Sequence, residues 1–183
     1  MRDAPVRRQG AQHMLSAAVT SIPCDSAAFA ELSTALLRAG KAVRFQARGT
    51  SMRPLVRDGD VLLVRPVDAT TVQLGDVVLC SSEPGRAVVH RVVRKLGGRA
   101  GLRFVLQGDQ VAQPDGLVAA AQVYGRVAAI ERAGAHIAMG EPAMRLLGGL
   151  VVLRSRWNLG RGRWYPLASR LIGRLPVLSR YLS

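Results

Sequence analysis

Between residues 26 and 39 apolar side chains recur with the period of a helix. Phe29, Leu32, Leu36 and Leu37 fall at i, i+3, i+7 and i+8. Asp25 or Ser26 stands where an N-cap is expected, and Gly40 stands where a C-cap is expected. The pattern predicts one amphipathic helix over 26–39. From residue 43 the period changes. Val-, Leu- and Ile-rich runs at 43–47, 60–65, 76–80, 87–94, 103–107 and 123–131 read as short strands. Turn signals separate them: Asp58-Gly59, Leu74-Gly75-Asp76, Glu83-Pro84-Gly85, Gly97-Gly98 and Pro114-Asp115-Gly116. Many short strands with no helices between them predict a mainly β fold, a barrel or sandwich. After Pro142 the chain turns apolar and arginine-rich. Residues 143–153 fit a helix, and Pro166 and Pro176 cut any later helix into short pieces. The organisation expected is an N-terminal arm and amphipathic helix (1–42), a β-domain (43–136) and a basic, apolar, partly helical extension (137–183). The first 24 residues read as a loosely ordered arm.

Charge sharpens this picture by its position. The 183 residues carry a formal net charge of +14. Residues 1–48 contribute +4 and residues 49–153 contribute +3, whereas 154–183 hold seven arginines and no acid. Half the excess therefore sits in the last thirty residues, and such a segment calls for an anionic partner. Trp157, Trp164, Tyr165 and Tyr181 are interleaved with those arginines. That mixture suits peripheral contact with an anionic membrane, with rings at head-group depth and guanidiniums on phosphates. The alternative is a tail packed on its own domain with its arginines solvated. A nucleic-acid partner is disfavoured, because no second helix with a recognition face precedes the strands.

Other classes are excluded or weakened. No stretch reaches the roughly 18 to 20 uncharged residues of a membrane span; the apolar run 137–153 contains Glu141 and Arg145. Arg2, Arg7 and Arg8 precede a mild apolar run from Met14 to Ile22, but it is short, holds Ser and Thr, and makes a poor signal peptide. Cys24 and Cys80 form no CxxC and read as free thiols. The histidines, His13, His90 and His136, are scattered, so no zinc pattern arises and no metal or cofactor is expected.

Three local patterns carry possible chemistry, each with a plainer reading beside it. Ser51 lies between Gly49 and Pro54 on a tight turn between strands. Gly49 permits close approach of a substrate backbone, yet serines near Gly and Pro are commonly turn formers. His90 lies in the apolar strand Ala87-Val88-Val89-His90-Arg91-Val92-Val93, where alternation puts Val88, His90 and Val92 on one face. A histidine there is either a satisfied core residue or an imidazole shielded enough to accept a serine proton. Asp109 and Asp115 bracket a loop after a strand end. They are either turn residues or a carboxylate that orients the histidine.

Taken in order, these segments resemble the catalytic core of the signal peptidase I family, over about residues 45–131. Gly49-Thr50-Ser51-Met52-Arg53-Pro54-Leu55 resembles the nucleophile box, with Gly49 and Met52 as supporting positions. Gly59-Asp60-Val61 and Gly75-Asp76-Val77 resemble the two Gly-Asp strand segments that follow it. Val89-His90-Arg91-Val92-Val93 resembles the general-base strand, Gln107-Gly108-Asp109 with Asp115 the closing box, and Gly125-Arg126-Val127 the last strand. Most bacterial members and the related self-cleaving repressors carry lysine at the base position. His90 is instead similar to the archaeal and endoplasmic-reticulum branch. The resemblance implies a serine endopeptidase with Ser51 as nucleophile, His90 as general base, Asp115 as its orienting carboxylate and Asp109 as support. It implies peptide substrates with small residues before the cut, and no cofactor. Two departures stand out: no membrane anchor is evident before the nucleophile box, and the closing loop reads Gln110-Val111-Ala112-Gln113 where the family favours asparagines. The competing expectations are a DNA-binding regulator of the self-cleaving type, or an inactive scaffold. Against self-cleavage, Ala39-Gly40 lies only eleven residues before Ser51.

Overall fold

The computed structural model describes residues 26–83, 85–99 and 101–158. The expected first helix is α1, Ser26–Arg38. Its buried residues are Ala30, Ser33 and Leu37, so the apolar face differs from the one the large side chains outline. Leu32 faces solvent, at 55% exposure. The small Ala30 and Ser33 take the contact because they let the helix approach the sheet closely. Ser33 keeps its hydroxyl satisfied by donating to the Phe29 carbonyl at 2.6 Å. Phe29 meets Phe45 edge to face, with ring centroids 4.8 Å apart. Gly40, at φ +76°, ends the helix; its N–H donates to Leu37 O and that of Lys41 to Leu36 O.

Eight strands follow: β1 Val43–Gln46, β2 Val61–Pro66, β3 Val77–Glu83, β4 Arg86–Leu96, β5 Arg103–Gln107, β6 Leu117–Ala119, β7 Val123–Arg132 and β8 Ala135–Ala138. They form one curled antiparallel sheet in the order β1-β2-β7-β3-β4-β5-β6, with β8 paired to β7. Single 3-10 turns at Ala69–Thr71 and Ala120–Gln122 lead into the strand region around β3 and into β7. A second helix, α2, runs Pro142–Asn158. The mainly β expectation therefore holds, with helices at the two ends of the strand region.

Two strands had no clear signal in the sequence. β6 has three residues and β8 has four, too few to display alternation. The β7–β8 turn passes through Ala133 and Gly134, both at positive φ. Asparagine is the usual marker at the first of those positions, and alanine hides it.

The sheet buries both faces, which explains the unbroken apolar run Val77-Val78-Leu79-Cys80. Val77 and Leu79 point into one core with Leu37, Met52, Leu62, Val64, Ile130 and Met144. Val78 and Cys80 point into the other with Val72, Val92, Phe104 and Leu106. Each of these side chains that is fully buried contributes about 1.5–3 kcal/mol. The amino-terminal part of α2 adds Met144 and Leu147 to the first core, so this part of the C-terminal extension is packed on the sheet. Of the basic segment 154–183, only residues 154–158 fall among the described residues, as the last turn of α2. Cys24 and the N-terminal arm also lie outside them.

Candidate active site

The turn after β1 presents Ser51. Gly49 sits at φ +96°, and its N–H donates to Asp58 Oδ1 at 2.8 Å. The next link is Arg53 N–H to Thr50 O at 3.1 Å, and Val56 N–H closes on Met52 O at 3.0 Å. Met52 is buried in the first core, as are Leu55 and Val56. The segment is thus anchored by its apolar residues while Ser51 remains half-buried.

His90 lies on β4, opposite Val78 in the β3 register. The expected alternation holds: Val88 and Val92 join the second core on His90's side of the sheet. Its side chain is 12% exposed. His90 Nε2 lies 3.1 Å from Ser51 Oγ, and Nδ1 is hydrogen-bonded to Asp115 Oδ2. Asp115 is placed by its own N–H, which donates to Leu106 O at 2.9 Å. In the tautomer with its proton on Nδ1, His90 donates to Asp115 and presents the Nε2 lone pair to the Ser51 hydroxyl. Residues 39 and 25 positions apart in sequence are therefore joined in one hydrogen-bonded chain.

Asp109 is not part of that chain. It accepts from Arg91 through two parallel bonds, Nε to Oδ1 at 2.7 Å and Nη2 to Oδ2 at 2.6 Å. The Arg91 side chain is 0% exposed and that of Asp109 is 3%. A third bond runs from Arg91 Nη1 to Gly75 O at 2.8 Å. The neighbours of Asp109, rather than its carboxylate, meet Ser51. Gln110 N–H donates to Ser51 O at 2.8 Å. A Cβ on Gly108 would lie 2.8 Å from that same carbonyl oxygen and 3.1 Å from Ser51 Cβ, so only glycine fits there. Arg91 and Gly108 are the residues that sequence reasoning undervalued. A signal existed for Arg91: an arginine inside an apolar strand requires a buried carboxylate partner.

The other Gly-Asp segments are structural too. Asp60 accepts from Arg132 at 2.9 and 2.7 Å and from the Arg57 N–H at 2.7 Å. Burial alone would raise the Asp60 carboxyl; the Arg132 and Arg57 bonds outweigh it and hold the group below the usual carboxylate range. Asp76 accepts from the Gln73 N–H and from Arg126. Cys80 is a buried free thiol under the site. Burial, and then the Asp115 charge, push it up to about 12.

Comparison with known protein families matches residues 13–127 to the family described as Peptidase S24-like. The chain belongs to the Peptidase S24-like family. No curated protein matches it. The matched stretch contains every member of the Ser51–His90–Asp115 chain, and the serine-peptidase type of fold accords with it. The S24-like assignment is coarser than the resemblance to signal peptidase I, and does not separate that branch from the self-cleaving repressors. The S24-like match ends within β7, so β8 and α2 lie beyond it.

Elsewhere, a groove of about 560 Å³ lies beside Arg38, Pro66 and Tyr124, and one of about 540 Å³ beside Arg57, Glu131 and His136. Neither is lined by Ser51, His90 or Asp115. Among the described residues no cluster of His, Cys, Asp or Glu is arranged to hold a metal, and no helix is long and apolar enough to cross a membrane.

Proposed function

We propose that this chain is a serine endopeptidase of the signal peptidase I type, working through Ser51, His90 and Asp115. The observation that carries the reading is the chain of contacts from Ser51 Oγ to His90 Nε2 and from Nδ1 to Asp115. Ser51 Oγ attacks the scissile carbonyl carbon as His90 Nε2 takes its proton. The tetrahedral intermediate collapses as the C–N bond breaks, and His90 returns the proton to the departing amine. Water, deprotonated by His90, then attacks the acyl carbon, and the bond to Ser51 Oγ breaks as His90 returns that proton to Oγ. Asp115 holds the tautomer and stabilises the imidazolium. The Ser51 backbone N–H and a neighbour serve the oxyanion; Gly49 supplies no side-chain donor.

The branch and substrate rest on resemblance: a histidine at the base position and a preference for small residues before the cut. A self-cleaving, DNA-binding regulator is the competing reading, and the net charge of +14 favours it. Against it, Ala39-Gly40 is tied into the C-terminal cap of α1, and α1 is followed directly by β1. The test is cleavage of a pooled peptide library by the intact protein beside Ser51→Ala and His90→Ala, read by mass spectrometry. Loss in both variants supports the endopeptidase, and the cut sites define the substrate class. Equal cutting by the variants, or none by any, removes it. A cut confined to the chain itself favours the regulator.

We also propose that residues 154–183 hold the enzyme at an anionic membrane. Seven arginines without an acid support this, six of them beyond Arg154, which packs on the domain, as do Leu146, Leu150 and Leu153, exposed at i, i+4 and i+7 along α2. Sedimentation with phosphatidylglycerol vesicles should depend on this segment. Unchanged binding after its deletion would rule the anchor out.

A further inference from the structure

We infer that α2 is a brace for the nucleophile turn, with Arg154 and Ser155 as positioning residues. This helix lies outside the stretch that matches the family, yet its last turn grips the loop that holds Ser51. Arg154 Nη2 donates to the backbone oxygen of Asp109. Ser155 is 5% exposed and donates to Gln107 Oε1 at 2.5 Å. The Gln107 amide is thereby oriented, and its Nε2 donates to Val111 O at 2.6 Å. Residues 107, 109 and 111 are thus fixed in a chain that starts from α2. The residues between them, Gly108 and Gln110, are the two that touch Ser51.

The approach of α2 is close enough to constrain its own sequence. A Cβ on Gly148 would lie 3.1 Å from Arg91 Nη1 and 3.1 Å from Gly75 O. That contact seats the middle of the helix on the buried Arg91–Asp109 pair, while the last turn reaches the loop itself. Stability alone would be served by Met144 and Leu147 in the core. The two polar bonds at Arg154 and Ser155 add something different, because they fix the position of a loop whose opposite side bears on the nucleophile. Loss of either should leave the sheet intact and loosen the seat of Ser51.

The inference rests on Ser51 as nucleophile for its effect on rate, but its structural half is measured without activity. The experiment is hydrogen exchange by mass spectrometry on the full chain, comparing the intact protein with Ser155→Ala, Arg154→Met and Arg154→Lys. The expected result is exchange faster by about tenfold in peptides spanning 107–112, the loss of one buried hydrogen bond. Peptides from β2 and β7 should be unchanged, and Arg154→Lys should restore part of the protection. On the peptide found by library screening, kcat should fall with KM unchanged. Unchanged exchange at 107–112, or a rise spread evenly over the sheet, overturns the brace. Local loosening in a protein that cleaves nothing would keep the brace and remove the proposed function instead.

Discussion

Replacing Gly108 with alanine tests how tightly the loop and the proposed nucleophile, Ser51, are fitted. The added Cβ would sit 2.8 Å from the Ser51 carbonyl oxygen, 2.9 Å from Val111 Cγ2 and 3.1 Å from Ser51 Cβ. The nearest of these is backbone, and Gln110 already holds it at 2.8 Å, so moving it strains that bond. Ordinary contact begins near 3.4 Å, so residues 51 and 108 must separate by roughly 0.6 Å. Ser51 Oγ starts 3.1 Å from His90 Nε2. Only about 0.1 Å separates this from the ~3.2 Å limit at which proton transfer is prepared, so the part of the shift directed away from His90 breaks the contact. Misplacement by about 1 Å costs about 10²-fold in rate, so a loss of some tens-fold in kcat is expected. Overpacking should also cost about 1–3 kcal/mol of stability. Gly98→Ala is the control, since its Cβ meets nothing within 4 Å. The assays are initial rates on a library-derived peptide and urea denaturation of both variants. A Gly108→Ala protein with unchanged kcat and unfolding midpoint would refute the reasoning.

Three further outcomes follow from the same contacts. Asp109→Ala leaves the buried Arg91 guanidinium without its carboxylate and should cost about 3–5 kcal/mol, whereas Arg91→Met with Asp109→Leu should recover most of that; a single-variant cost below about 1 kcal/mol in urea denaturation contradicts the buried pair. Asp60 is held below its ordinary value in the folded state. Its contribution is therefore complete above the unfolded value of about 3.9 and is lost as pH falls through the folded value. Stability against pH, read by denaturant titration, should lose slope below about pH 4 in Arg132→Met, and parallel curves would sink the assignment. The Cys80 thiol, raised to about 12 by burial and then by Asp115, should resist iodoacetamide in the native protein at neutral pH and react fully in urea; native labelling at the rate of an exposed thiol would show the site to be open.

Much of this arrangement was legible in the sequence because it is written in strand periodicity and turn chemistry. Alternation placed His90 with Val88 and Val92, and the strands 43–47 to 123–131 emerged within a few residues of their observed ends. Ser51, His90 and Asp115 were weak signals one by one and formed a set only through the resemblance to signal peptidase I; packing alone brings them within hydrogen-bond reach. What stayed hidden depends on contact between segments. The helical face of α1 could not be drawn from residue size, because close packing selects Ala30 and Ser33 over Leu32. β6 and β8 are stabilised by the strands they join and carry little pattern of their own. The role of Arg154 and Ser155 had no local signature, since its meaning lies in Asp109 and Gln107, which are 45 and 48 residues away.

The pairing of His90 with Arg91 shows why these two residue types stand side by side in this order. Neighbours on a strand face opposite sides. His90 turns toward Asp115, and Arg91, opposite Val77 and Gln107 in the register, turns toward Asp109. One loop, running from 108 to 116, supplies both carboxylates. The two pairs have different tasks. Arginine stays charged at every relevant pH, so Asp109 has a permanent partner and the loop keeps one position. On the proposed mechanism the imidazole gains and loses a proton in each turnover, so Asp115 must tolerate both states and is left more exposed, at 21% against 3%. Exchanging the two side chains would fail on both counts. A guanidinium at 90 has no lone pair to accept the Ser51 proton, and a neutral imidazole at 91 would leave the Asp109 carboxylate buried without a counter-charge. The loop is thus locked by a charge that cannot titrate, next to one that the proposed mechanism requires to change.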